Sequence, residues 1–209
     1  MSPRWLLPLA LAAAALGCNQ EAPYPRDARE AGWIARFDDF ETDADANRFV
    51  EHRDNLEVKH GSNVTLWHPR YETSGDYRLS VAVTHRDSGL HPHGAGLTFG
   101  GRDVQAQGQR YTYFLVRNDR HFLIKTRTGE ESQDIVSWTE HDAVSPEQAD
   151  GVMTNELTVE VQGDEVRFMV NGTQVHRQAR KDLFADGLHG VRLVHDLHVR
   201  FGNPVVVTL

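Results

Sequence analysis

Residues 110–127, RYTYFLVRNDRHFLIKTR, carry the side chains of this sequence best suited to holding a ligand. Tyr111, Tyr113, Arg117, Lys125 and Arg127 alternate in a way that one face of a β-hairpin would collect. Phenol rings offer flat apolar faces against which the C–H groups of a ring-shaped ligand can stack. Guanidinium and ammonium groups donate hydrogen bonds to hydroxyls or carboxylates. Together these five residues could form a platform for a polyhydroxylated ligand. The plainer alternative is a solvated strand face on which tyrosines lie against the stems of basic residues.

The hydrophobic pattern sets the hairpin register. With Asn118, Asp119 and Arg120 as the loop, Val116 faces Phe122 and Phe114 faces Ile124 on one side. The other side pairs Arg117 with His121, Leu115 with Leu123, Tyr113 with Lys125 and Tyr111 with Arg127. A two-residue loop would put Phe114 and Ile124 on opposite faces, so the longer loop is selected. Arg120 then stands at a turn position that favours glycine if φ is positive there.

Other chemistry finds less support. Twelve histidines invite a metal reading, with His91 and His93 joined by His85 or His141, or with His195 and His198 around Asp196. Only spacing supports these sets, and scattered surface histidines are the expectation. Hydrolysis of a glycoside needs two carboxyls held at a defined separation. Glu140, Asp142, Glu160 and Asp164 are the acids available, and Glu160 is better explained as a cross-strand partner of Arg167. No Gly-x-Ser-x-Gly nucleophile turn is present. The glycine-rich GAGLTFGG at 94–101 lacks the Lys-Ser/Thr ending of a phosphate loop, so its glycines are read as a bulge or a close backbone approach. The acidic run at 38–45 lacks the spaced glycine and distal glutamate of a calcium loop and reads as a solvated turn. No cofactor is implied.

The amino terminus reads as an export signal. Arg4 precedes an apolar run at 6–16 that is too short to span a bilayer. It ends in Ala15-Leu16-Gly17-Cys18, and Cys18 is the only cysteine. This resembles the bacterial lipoprotein signal, which implies lipidation of Cys18, attachment to a membrane and residence in the cell envelope. Residues 1–17 would be the signal peptide, and the proline-containing, mixed-charge segment through residue 32 would be a tether. A single domain is expected over 33–209. The formal net charge of −8 argues against a nucleic-acid backbone as partner.

The elements that must position these residues are strands. Residues 77–84, YRLSVAVT, alternate cleanly with Tyr77, Leu79, Val81 and Val83 on one face. Further short strands are expected at 33–40, 56–59, 63–67, 94–101, 134–138, 190–195, 197–201 and 205–209, with a helical turn near 145–149. Residues 155–175, NELTVEVQGDEVRFMVNGTQV, form a three-stranded meander. A turn at Gly163-Asp164 pairs Val161 with Val166, Val159 with Phe168 and Leu157 with Val170, while Asn171-Gly172 brings Val175 back beside Phe168. About ten strands at regular spacing point to a two-sheet sandwich.

GLTFGG followed by YTYFLVRND, then the meander, then DGLHGVRLVHDLHVRFGNPVVV resembles the concanavalin A-like lectin and glucanase jelly rolls. Within that group the order is most similar to the bacterial 3-keto-disaccharide hydrolase-type domains, with Asn171, Gly172, Gly190, Val191 and Leu193 at matching places. The resemblance implies an all-β, two-sheet antiparallel jelly-roll sandwich. It also implies a carbohydrate ligand on the concave sheet, which in such folds is the ligand face, and leaves two other readings open: a glycoside hydrolase and a protein-interaction module. The E-x-D-x-x-E signature of the glucanase branch is absent.

Overall fold

The computed structural model describes residues 24–38, 48–60, 63–87, 92–195 and 197–209. The leader with Cys18, most of the acidic run, Gly61, His91 and Asp196 lie outside the described residues.

Two antiparallel sheets carry the fold. The first has seven strands: β2 (Ile34–Phe37), β5 (Val64–Thr73), β7 (Gly94–Arg102), β8 (Arg110–Arg117), β9 (His121–Thr128), β10 (Glu131–Glu140) and β14 (Gly187–Leu193), in the order β10-β9-β8-β7-β14-β5-β2. The second has nine: β1 (Arg26–Asp27), β3 (Arg48–Glu51), β4 (Asn55–His60), β6 (Tyr77–Asp87), β11 (Met153–Gln162), β12 (Glu165–Val170), β13 (Thr173–Ala179), β15 (Leu197–Gly202) and β16 (Val205–Thr208). Its order is β1-β3-β4-β15-β6-β11-β12-β13, with β16 pairing β6 in line with β15. No α-helix occurs among the described residues: the expected helical turn near 145–149 is irregular, and one 3₁₀ turn lies at Arg180–Asp182. The strands expected at 56–59 and 63–67 fall in different sheets, β4 in the nine-stranded one and β5 in the seven-stranded one.

The hairpin forms in the register derived above, from Tyr111↔Arg127 through Phe114↔Ile124 to Arg117↔His121. Arg120 does adopt a positive φ of 66°. The meander also pairs as derived, including Glu160↔Arg167, with Asn171 and Gly172 both at positive φ in its second turn. One detail differs. A bulge between Phe168 and Met169 puts His176, not Val175, opposite Phe168, and Val175 packs half-buried against the core edge. The two stretches meet between the sheets, where Phe114 stands edge-on to Phe168 with centroids 5.4 Å apart. Around that contact lie Leu79, Val81, Phe99, Val116, Ile124, Val159 and Phe201, all buried.

Residues 24–32, expected as the end of a tether, pack onto the nine-stranded sheet. Ala28 is buried, β1 pairs β3, and the buried Glu51 carboxylate accepts bonds from Arg26 (2.6 Å), Arg70 (2.5 Å) and Trp33 (3.1 Å). The expectation of surface histidines also needs correction. His85 and His189 are completely buried, and neither imidazole has a hydrogen-bond partner. Each occupies a core position of its strand, so burial pushes both pKa values down to about 4.

Candidate functional site

The outer face of the seven-stranded sheet is built from alternation. Along β8, Phe114 and Val116 point between the sheets, so Tyr111, Tyr113, Leu115 and Arg117 point outward; along β9 the outward residues are Leu123, Lys125 and Arg127. All five residues singled out from the sequence share this face.

Their surroundings are not those of an open platform. Tyr111 is 1% exposed, Tyr113 5% and Arg127 8%. The cause lies in the strands beside the hairpin. On β7 and β14 the outward positions include Gly94, Gly101 and Gly190, which leave room above the backbone. A Cβ at Gly101 or Gly190 would come within 2.8–2.9 Å of the Trp67 ring, and one at Gly94 within 2.7 Å of Trp138. Trp67 of β5 therefore lies across β14 and meets Tyr111 of β8 edge-on at 5.1 Å. These strands are three steps apart, about 14 Å at the usual strand spacing. Trp67, Val104, Tyr111, Tyr113, Leu115 and Leu123 form a second hydrophobic cluster, with Trp138 and Ile34 at its margin.

A charged group closes one end. Arg192 of β14, 4% exposed, donates to Thr65 Oγ1 (2.8 Å), to Tyr111 Oη (3.2 Å) and to both carboxylate oxygens of Asp38, and its guanidinium sits over the Tyr113 ring at 5.1 Å. Arg127 reaches the same carboxylate at 3.0 Å. Burial by itself would raise the Asp38 pKa, but the two guanidiniums outweigh it and hold the carboxyl below its ordinary range. Burial likewise works against the charge on Arg192, and the Tyr111 and Asp38 oxygens more than offset it, holding its pKa above the usual value. Three polar atoms of this face are buried without a partner: Trp67 Nε1, Thr98 Oγ1 and Arg192 Nε.

The other end is accessible. Trp138 is half-buried over Gly94, and the Arg117 guanidinium stacks on its ring at 4.6 Å. Arg117 Nε also donates to Asp119 (2.6 Å), which His121 approaches at 3.2 Å. Lys125, partly exposed, pairs with Asp134 at 2.8 Å. Past the hairpin turn, Glu140, His141 and Asp142 line a surface depression of about 400 Å³.

Trp67 and Arg192 escaped the sequence reading as site residues, while Asp38 entered it in the acidic run at 38–45 and Trp138 in the strand at 134–138. The alternation that exposed the hairpin face also applies to β5 and β14: Val64 and Leu66 face inward and leave Thr65 and Trp67 outward, and Val191 and Leu193 do the same for Arg192, so Trp67 and Arg192 were recoverable. Nothing in those patterns says that they meet Tyr111. The four acids weighed for hydrolysis are divided. Glu140 and Asp142 line one depression, whereas Glu160 is bound by Arg78 and Arg167 on the nine-stranded sheet, with Asp164 in the turn at its end. The histidine sets are likewise separated. The rings of His93 and His195 lie 5.2 Å apart, tilted at 45°, while His198 pairs with Glu57 on the other sheet. Among the described residues no group of three His, Cys, Asp or Glu side chains is arranged to hold a metal.

No family model matches the chain, and no curated protein matches it. Solved structures do. The carbohydrate-binding module CBM66 from Bacillus subtilis superposes with a TM-score of 0.62 at 13% identity, covering 85% of this chain and 96% of that one. A Bacillus subtilis protein of unknown function with a galectin-like fold gives 0.58 at 11% identity, covering 89% and 93%. The exoplasmic/lumenal domain of VIP36, in its Ca²⁺/mannose-bound form, gives 0.54 at 10% identity, covering 85% and 83%. At such identities the likeness speaks for architecture, and together with the two observed sheets it establishes this chain as an all-β, antiparallel jelly-roll sandwich.

Proposed function

We propose that this domain binds carbohydrate on the outer face of the seven-stranded sheet, at the end formed by Trp138 and Arg117. The observation that carries the proposal is the partly exposed Trp138 ring, whose Cη2–Cζ2 edge lies over Gly94 and whose centroid is 4.6 Å from the Arg117 guanidinium. The part of the indole that Arg117 leaves uncovered presents an apolar surface for sugar C–H groups, and the neighbouring Arg117, Asp119 and Lys125 supply donors and acceptors for hydroxyls. Tyr111, Tyr113 and Arg127 act from beneath, as the packed layer that holds this rim in place. Two structural neighbours, a carbohydrate-binding module and a mannose-bound lumenal domain, support the reading.

Glycan-array screening followed by calorimetric titration tests it. Trp138→Ala is expected to lower affinity at least about tenfold, as loss of a central aromatic contact does, while the thermal melt stays cooperative. Wild-type affinity in Trp138→Ala and Arg117→Ala alike would place binding elsewhere. A glycosidase panel run on the array hits checks the hydrolase alternative, for which Glu140 and Asp142 are the acids that share a depression.

Envelope anchoring through a lipidated Cys18 belongs to the same proposal, supported by the Ala15-Leu16-Gly17-Cys18 ending. Cys18→Ser is expected to release the protein from membranes or to block its maturation. Wild-type protein that takes up no fatty-acid label, with unchanged fractionation of the variant, would end that part of the reading.

A further inference from the structure

The cations of the accessible end are all engaged by carboxylates. Arg117 donates to Asp119 at 2.6 Å, Arg120 to Asp142 at 2.5 Å, and Lys125 contacts Asp134 at 2.8 Å. Arg117 is held twice, since its flat face is also taken up by Trp138. Recognition of a carboxylate or sulfate relies on a guanidinium fork free to make two parallel bonds, or on an ammonium with a vacant side. Here each of the three cations already donates to a carboxylate, so an incoming anion meets charge that is already offset. Glu140, exposed at the end of β10, adds a fourth carboxylate against three cations. The chain as a whole carries a formal charge of −8, so an approaching polyanion meets repulsion at long range as well. A hydroxyl has the opposite relation to such a rim. It both donates and accepts, so a row of paired guanidinium and carboxylate groups satisfies it from either side without leaving any charge unpaired.

We propose that the ligand of this site is a neutral, hydroxyl-rich sugar and that Asp119 is the residue that excludes anionic ones. This rests on the carbohydrate-binding reading above and narrows it to a substrate class. Among the described residues Asp119 is the carboxylate that touches both flanking residues of the hairpin turn, Arg117 and His121, and Arg117 in turn lies on the Trp138 ring. It pairs with the cation that lies on the indole, so it decides whether an anion arriving over that ring meets an uncompensated positive charge.

The test uses the full chain and a panel of neutral polysaccharides (a glucan, a mannan, a galactan and a fructan) beside anionic ones (polygalacturonate, alginate and dextran sulfate). Binding is read by calorimetry at low and at physiological ionic strength. The expected result is binding within the neutral set, with affinity changing less than about twofold with salt, and none to the anionic set, because paired charges leave little net field for salt to screen. Asp119→Asn, which keeps the side-chain shape, is expected to raise affinity for the anionic set by about fivefold or more at low salt, the size of one unmasked charge at short range. Asp142→Asn, at a fully exposed side chain where folding is not at stake, serves as the second variant and is expected to act in the same direction. Preference of the wild type for the anionic set at low salt overturns this inference and leaves carbohydrate binding standing. Binding to neither set overturns both. An Asp119→Asn variant with unchanged selectivity removes Asp119 from the role.

Discussion

The outer faces of the two sheets follow the same alternation and arrive at opposite solutions. On the nine-stranded sheet the outward residues of β6, β11 and β12 are Arg78, Ser80, Thr158, Glu160 and Arg167, tied by Arg78–Glu160 (2.5 Å), Arg167–Glu160 (2.7 Å) and Ser80–Thr158 (2.8 Å). Arg78 is half exposed while Thr158 and Glu160 are buried, so this face is a polar lattice whose arginines meet the water. On the seven-stranded sheet an arginine–carboxylate contact also occurs, but Arg192 is buried and roofed by two tyrosines and a tryptophan. What separates the faces is the pair of strands at the centre. Glycines on β7 and β14 let long aromatic side chains from β5, β8 and β10 lie down over the sheet; β6 and β11 present longer side chains at the corresponding places, which stand up and pair with each other. Small residues at the middle of a sheet thus decide whether its outer side gains a second apolar layer.

The largest expected effect comes from removing that layer. Trp67→Ala leaves a cavity beside Tyr111 and above Gly190 and is expected to cost about 3–5 kcal/mol in urea unfolding, the range for a large buried aromatic. A loss near zero would mean that this face is ordinary surface and that the contrast with the other sheet is false.

Acid separates the interior from both faces. The unfolded imidazoles of His85 and His189 take up protons near pH 6.5, whereas in the folded state they do so only near pH 4. Between those values the unfolded chain binds more protons, so stability rises with pH across this window and is lost on acidification through it, by up to about 3 kcal/mol for each residue. Urea midpoints from pH 7 to pH 4 should fall steeply in the wild type and less steeply in His85→Leu and His189→Leu. Parallel curves would show that these imidazoles do not set the acid limit.

Glycine at the centre of the aromatic face is tested by Gly190→Ala. The added Cβ would stand 2.1 Å from the Leu66 carbonyl oxygen and 2.9 Å from the Trp67 ring, and a backbone oxygen cannot swing aside. A cost of about 1–3 kcal/mol is expected from overpacking. A neutral substitution would mean that the sheet relaxes there and that the glycine is not what admits the tryptophan.

The smallest effect is expected on the polar face. A double-mutant cycle between Arg78 and Glu160 should give a coupling of about 1 kcal/mol, because Arg78 is half exposed even though Glu160 is buried, against about 3 kcal/mol or more between Arg192 and Asp38, where the buried guanidinium would be left without its carboxylate. Equal couplings would erase the distinction drawn between the two faces.

Much of the fold was legible from sequence because the information is local. The registers of the hairpin and the meander follow from period-two alternation and from loop lengths of three and two residues, and both are observed residue for residue apart from the bulge at Phe168. The bulge was not legible, since an extra residue in β13 leaves the hydrophobic pattern almost unchanged. Of the candidate site, membership of the face was legible and its accessibility was not. Tyr113 looks the same in sequence whether water or Arg192 covers it, and Arg192 is 79 positions away in the chain, as the numbering of the two residues shows.

The amino-acid sequence alone therefore determined which residues share a side of each strand, because side chains on a β-strand must alternate and only one register buries Phe114, Ile124, Val159 and Phe168 together. Tertiary structure alone decided what each outward side meets. Trp67, Tyr111 and Arg192 come together because β14 and β7 lie between β5 and β8 and offer glycine beneath the rings. That juxtaposition depends on strand order across the sheet, which involves residues 67, 111 and 192 at once, and no local pattern in a chain specifies contacts over such separations.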